Sequence, residues 1–127
     1  MYAITPSSTV ISPVFALSSP SSTPNQAWVA QEAISYGINP NLAECIIQHE
    51  SAWDGNRVGD IGNPTGESFG WWQIQLRSHP DVTKADAFSL QSSTIWALHQ
   101  IVLGNVKIWS TYSQKPYYCR DIPVFLN

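Results

Sequence analysis

This sequence predicts a mainly α domain of the α+β class, on two observations. Three segments carry apolar residues at helical spacing between recognisable start and stop signals. Between the second and third lies "AWDGNRVGDIGNPTGESFG", dense in Gly, Asn and Asp, a composition that makes turns and a short hairpin rather than helix. The chain has 127 residues, enough for one domain with a real core. Residues 1–25 are rich in Ser and Pro and carry no charge, so they are expected to form a flexible tail or linker, with the folded domain spanning 26–127.

The first helix is expected within "QAWVAQEAISYG", with Ala27, Trp28, Ala30 or Gln31, and Ile34 near one stripe and Gly37 as its stop. Asn39 is a good N-cap and Pro40 suits the first helical position, so a second helix should run from about Pro40 to Ser51. At about 100° per residue, Leu42, Ala43, Ile46 and Ile47 occupy an arc of roughly 140°, and Glu50 falls near its middle. Glu44, Gln48 and Ser51 fall on the other side. A carboxylate therefore sits on the buried face, in the last turn. Burial and the negative end of the helix dipole both disfavour its charge, which is the condition of a general acid. The plainer reading is a solvated Glu, or one paired with Arg57 or Arg77.

Beyond the glycine-rich stretch, "FGWWQIQL" fits either a strand or a tight helix entry, and "RSHPDVTKADAFSL" reads as a connector. "SLQSSTIWALHQIVL" should be helical, with Leu90, Ile95, Leu98, Ile101 and Val102 on its apolar spacing and Gly104-Asn105 at its end. "VKIWSTY" suggests one more short helix. "KPYYCRDIPVFLN" should pack back on the body.

Composition excludes several functions. A net charge of −3 with scattered Lys and Arg argues against nucleic acid, whose phosphates are held mainly by basic side chains. The six Trp, five Tyr and four Phe, set among few charges, suit a neutral ring-shaped ligand. No segment is apolar and long enough to span a membrane. A secretory leader is not expected from the N-terminal residues, which lack a basic start and are interrupted by Pro13. Cys45 and Cys119 are two buried free thiols in one reading, or a long-range disulfide in the other.

Motif matching removes more. His49-Glu50 begins like a zincin helix, but the second ligand would fall at Trp53. Asp54, Asn56 and Gly59 occupy calcium-loop positions, yet Val58 and Thr65 stand where ligands belong. No metal or cofactor is expected. What remains is a buried acid, Glu50, followed by the carboxylates Asp54, Asp60 and Glu67 amid Gly and Trp. Glycosidic bond cleavage uses such a set: one acid protonates the leaving oxygen, and a second group manages water or the sugar cation.

Here two blocks resemble a known family. "YGINPNLAECIIQHES" is similar to the opening of lysozyme-like transglycosylase domains, the superfamily of soluble lytic transglycosylase (SLT) domains and goose-type lysozymes. These carry a Y-G-[IV]-[DN]-P-x-L turn and an apolar helix ending in Glu-Ser. "GDIGN…SFGWWQIQLRSHP" resembles the goose-type G-D-x-G-N-x-F-G-L-M-Q-V-D-x-R-S-H. The likeness covers about residues 26–112 and weakens after Pro80.

The resemblance implies a lysozyme-like two-lobed fold with a central catalytic helix and a small irregular or β lobe. It implies cleavage of the β-1,4 bond between N-acetylmuramic acid and N-acetylglucosamine in peptidoglycan, by a lytic or a hydrolytic (muramidase) route. Glu50 matches the catalytic acid and Ser51 the residue that follows it. Asp60 falls on an acidic position associated with water. Gln73 matches a glutamine lining the glycan groove, and Gly70 a glycine permitting close backbone approach. The family's C-terminal tyrosine motif is absent; Tyr112 is the candidate substitute. Gln75 replaces an Asp of the goose-type pattern, and Trp71-Trp72 replaces Leu-Met, with one ring expected in the core and one lining the groove. The connector before Gly70 is longer, which makes Glu67 an additional candidate acid. Peptidoglycan strands are the expected partner, the chain is expected to act as a monomer, and an extracellular, cell-envelope or phage-associated location follows. The rivals are a non-catalytic glycan-binding or virion-structural module on the same scaffold, and an adhesion protein acting through the tail.

Overall fold

The computed structural model describes residues 23–127, so most of the expected tail lies outside the described residues. Its last part differs from expectation. The Thr23 hydroxyl oxygen accepts a hydrogen bond from the Gln26 amide (3.2 Å), the Gln26 side-chain oxygen accepts one from the Thr23 amide (3.2 Å), and Pro24 takes the first helical position. This capping box starts helix α1 at Pro24–Ser35. Its buried residues are Val29, Ala30 and Ala33, while Trp28 only packs at the core margin. The expected stripe was rotated from the true one because small alanines recur on several faces of this helix.

Gly37, at φ +73°, ends α1 and resets the chain into α2, Pro40–Ser51, whose N-cap Asn39 accepts from the Asn41 amide (3.0 Å). Leu42, Ala43, Ile46 and Ile47 are all fully buried, as the wheel requires. Ser51 is not on a solvated side: it is 1% exposed. The following loop folds over the helix end, and the Ser51 hydroxyl donates to the carbonyls of Ile47 (3.2 Å) and Trp71 (2.8 Å).

Three two-residue strands follow: β1 Val58–Gly59, β2 Ser68–Phe69 and β3 Ile74–Gln75, paired antiparallel in that order. Gly59 faces Ser68, and Ser68 faces Gln75. "GWWQ" is therefore the turn of a tight hairpin, neither a strand nor a helix entry. The expected connector after it contains helix α3, Lys84–Phe88, opened by a second capping box between Thr83 and Asp86. Helix α4, Leu90–Val102, buries Leu90, Leu98 and Ile101. Ile95 (42% exposed) and Val102 (49%) are left outside, because no element among the described residues covers them. A 3-10 turn, Val106–Ile108, and helix α5, Ser110–Ser113, complete the helices. The architecture is mixed α+β: helices supply most of the regular secondary structure, and one small antiparallel sheet is set among turns and loops.

Cys45 and Cys119 form a disulfide with their Cα atoms 5.8 Å apart, which joins α2 to the C-terminal segment. That segment packs back as expected: Leu126 donates to the Gly37 carbonyl (2.9 Å), and Ile38 bridges Phe125. Gly70 has a structural reason of its own. At φ +80°, a Cβ there would collide with the Ala87 carbonyl oxygen at the end of α3. Gly70→Ala should therefore cost about 2 kcal/mol or more, measured as a lowered urea midpoint at unchanged slope. No described helix is long and apolar enough to cross a membrane.

Candidate active site

A cleft of about 570 Å³ opens between the sheet and the helical side, and Glu50 and Asp60 both line it. Helix α2 delivers Glu50 from its last turn, one residue before Ser51 locks the helix end under the Trp71 carbonyl. Ala52 then takes a left-handed φ of 52° and Trp53 one of 64°, so the chain leaves the helix abruptly without a glycine. Two cleft residues share this rare conformation, Asp60 (φ 57°) and Gln73 (φ 49°). Strained backbone of this kind persists where packing over-determines it, often at functional sites.

Glu50 carries the clearest electrostatic signature. Its pKa is pushed from 4.5 to about 7, chiefly because burial removes water from the carboxylate. Two hydrogen bonds from Thr111, one from its hydroxyl (3.2 Å) and one from its backbone, oppose the shift. The Asp60 charge adds to it, and Arg57 subtracts the least of these. Arg57 is thus a minor influence on Glu50, and the Arg77 guanidinium donates to the Pro64 carbonyl (2.8 Å). Burial alone does not mark the site: Glu44 is also raised by burial, yet it does not line the cleft.

Opposite Glu50, the Ser68 hydroxyl donates to Asp60 Oδ2 at 2.6 Å and holds that side chain against the sheet. Gln73 is clamped through its amide nitrogen, which donates to the carbonyls of Gly70 (2.9 Å) and Arg57 (3.1 Å). A Cβ on Gly59 would strike the Gln73 side-chain oxygen, so a larger residue there would displace Gln73 from this position. Gln75, also at the cleft, ties the loop together: it donates to Thr65 Oγ1 and the Gly66 carbonyl (3.0 Å each) and accepts from Ser78 (2.8 Å).

Other expected site residues lie elsewhere. Glu67 does not line the cleft; strand alternation turns Ser68 toward it and its neighbours away. Ser51 is consumed in fastening α2. Gly70 admits the protein's own α3 backbone, not a ligand. Neither Trp71 nor Trp72 forms the groove wall. Trp72 is fully buried, donating to Thr94 (2.9 Å), and Trp71 donates to the Phe88 carbonyl (3.0 Å) on the other side of the hairpin. The rings at the cleft are Trp96 and Trp109. Trp109, itself 3% exposed, donates to the Trp72 carbonyl (2.9 Å), so one core tryptophan positions the other at the cleft. Tyr112 packs against the core instead of the cleft; its neighbour Thr111 is the residue that touches Glu50. His49 is exposed and stacks on Tyr118, with centroids 4.1 Å apart. Asp54 caps its own turn by accepting from the Asn56 amide (3.0 Å).

Sequence reasoning missed Thr111, Trp96 and Trp109. Their types carry no signal at their positions, since tertiary contact alone brings Thr111 to a Glu 61 residues away. Thr111→Val should remove a donor that favours the carboxylate, so the Glu50 titration moves to higher pH. Carboxyl NMR of the two proteins checks this directly.

Comparison with family models, with curated proteins and with solved structures gave no match.

Proposed function

We propose that this chain is a peptidoglycan-cleaving glycosidase of lysozyme-like architecture, with Glu50 as its general acid and base. One observation carries the reading: a carboxylic acid that burial holds protonated to about pH 7 faces a cleft it shares with a second carboxylate. Trp96 supplies flat apolar wall, and the Gln73 side-chain oxygen and the Ser110 hydroxyl supply polar contacts suited to a sugar. The resemblance of "YGINPNLAECIIQHES" and "GDIGN…SFGWWQIQLRSHP" to transglycosylase domains supports reading that glycan as the bacterial wall's.

In the reaction Glu50 gives its proton to the glycosidic O4 as the C1–O4 bond breaks. In the lytic route the 6-hydroxyl of the same sugar then attacks C1, its proton returns to Glu50, and a 1,6-anhydro end is left. In the hydrolytic route water attacks C1 and delivers its proton to a base. Asp60 favours keeping this second route open, because it lines the same cleft and Ser68 fixes its side chain. Such a substrate lies outside the cytoplasm, in keeping with the Cys45–Cys119 disulfide.

The test is digestion of purified wall glycan followed by chromatography of the soluble products. Muropeptides with anhydro ends support the lytic route and reducing ends the hydrolytic one. Failure to release any fragment sinks the enzyme reading, and a protein that binds the glycan without cutting it would be the non-catalytic module.

A further inference from the structure

Ser68 stands on β2, the middle strand of the sheet, with 4% of its surface exposed, and it lines the cleft. A hydroxyl so deeply buried needs a partner, or it carries an uncompensated cost. Its hydrogen-bond partner among the described residues is Asp60, whose Oδ2 accepts at 2.6 Å, a short bond of the kind a hydroxyl makes to a carboxylate. Asp60 itself is exposed, and among the described residues no other hydrogen bond holds its side chain. Its backbone is fixed separately: φ is 57°, and its carbonyl accepts from the Asn63 amide (2.9 Å). With Oδ2 committed to Ser68, Oδ1 is left without a hydrogen-bond partner among the described residues. The Asp60 charge also acts on Glu50, raising its pKa, so the two carboxyl groups interact across the space they share.

The chemistry of the lining narrows the choice of base. Among the described residues, Glu50, Asp60 and His79 are the titratable side chains at the cleft. Glu50 begins the reaction protonated, and the His79 ring is engaged in a T-shaped contact with Trp96, centroids 4.9 Å apart. Gln75, the cross-strand neighbour of Ser68, is an amide and takes no proton near neutrality. We propose that Ser68 is a positioning residue: its hydroxyl fixes the Asp60 carboxylate so that Oδ1 takes the proton of an attacking water, and it thereby sets the share of hydrolytic over lytic product. The inference rests on the proposed glycosidase reading. In the step it serves, the water oxygen bonds to C1, the C1–O4 bond breaks, Glu50 gives its proton to O4 and Asp60 takes one from the water. Proton exchange with solvent returns both acids to their starting states. Without the Ser68 tether the exposed Asp60 side chain spreads over its rotamers, and the sugar's own 6-hydroxyl reaches C1 first.

Two measurements test this, and the first needs no substrate. Three-bond NMR couplings to the Asp60 carboxyl carbon report its χ1 angle in solution. One rotamer is expected in the parent and an average over several in Ser68→Ala. An averaged Asp60 in the parent, or the same single rotamer in Ser68→Ala, overturns the proposal. The second measurement is the ratio of reducing to 1,6-anhydro ends released from wall glycan. The parent should give reducing ends, and Ser68→Ala should lower the ratio about tenfold or more. Asp60→Asn should lower it at least as far, and adding Ser68→Ala to that variant should change nothing further. A Ser68 that only stabilised the sheet would not move a ratio between two fates of the same cut. The parent's couplings and the Asp60→Asn products require no change in the sheet. An unchanged ratio in Ser68→Ala, anhydro ends alone from the parent, or a further loss in the double variant overturns the proposal and leaves the glycosidase standing. Release of no fragment by the parent overturns both.

Discussion

Glu50→Gln is expected to lower turnover on wall glycan by a factor of at least about 100 to 10,000 while leaving glycan binding intact. Glutamine preserves the shape of the side chain and the acceptor for Thr111, whose hydroxyl donates at 3.2 Å. Only the transferable proton is lost. The same variant should be more stable than the parent at alkaline pH. Burial raises the Glu50 pKa in the folded protein from 4.5 to about 7. The unfolded chain therefore loses this proton first, and the folded state binds more protons across that window. Stability falls as pH rises from about 4.5 to 7, and above 7 the cost is complete, about 3 kcal/mol at 1.36 kcal/mol per unit. Urea unfolding at pH 4 and pH 8 should show parent and variant alike at the first and the variant ahead at the second. Activity of the parent should decline above about pH 7 as the acid loses its proton. A Glu50→Gln protein that still cleaves wall glycan removes Glu50 from the mechanism.

Replacing both Cys45 and Cys119 with serine is expected to cost about 4 kcal/mol of stability. The disulfide closes a loop with a sequence separation of 74, and the cost is the chain entropy that the cross-link withholds from the unfolded state. Cys119 is fully buried in the core, so serine there adds a penalty for an unmatched hydroxyl. The lost link also frees the segment that follows α5. Since α5 carries Thr111 against Glu50, loosening it should disturb the acid as well as the fold. Denaturation with and without reductant measures the first effect, and the Glu50 titration measures the second. Parent and double-serine proteins with the same urea midpoint would show that the cross-link carries none of the stability assigned to it.

How much of this could be read from the chain alone depended on the range of the interaction concerned. Helix α2 was legible to the residue, because its cap, its N1 proline and its buried arc are all set within twelve neighbours. The mixed class followed from the same local signals. Glu50 was legible as a partly buried acid because it shares the arc of Leu42, Ala43, Ile46 and Ile47. The α1 stripe was not, since alanine buries little area and marks no face strongly. Helix α3 escaped notice for a related reason: five residues are too few to display a period, and only the Thr83–Asp86 box announces it.

The cleft followed a different rule. Sequence determined that one carboxylate would be desolvated, that glycines would bend the chain after it, and that tryptophans would be present in number. Tertiary structure decided which rings reach the cleft, sending Trp72 to the core and Trp96 to the opening, with Trp109, 3% exposed, between them. It also chose Asp60 over Glu67 as the facing acid, and Thr111 rather than Tyr112 as the residue beside Glu50. The physical reason is common to all three. A side chain's own helix or strand sets the direction it points, but what lies in that direction is set by segments tens of residues away, whose docking follows from packing the whole core at once.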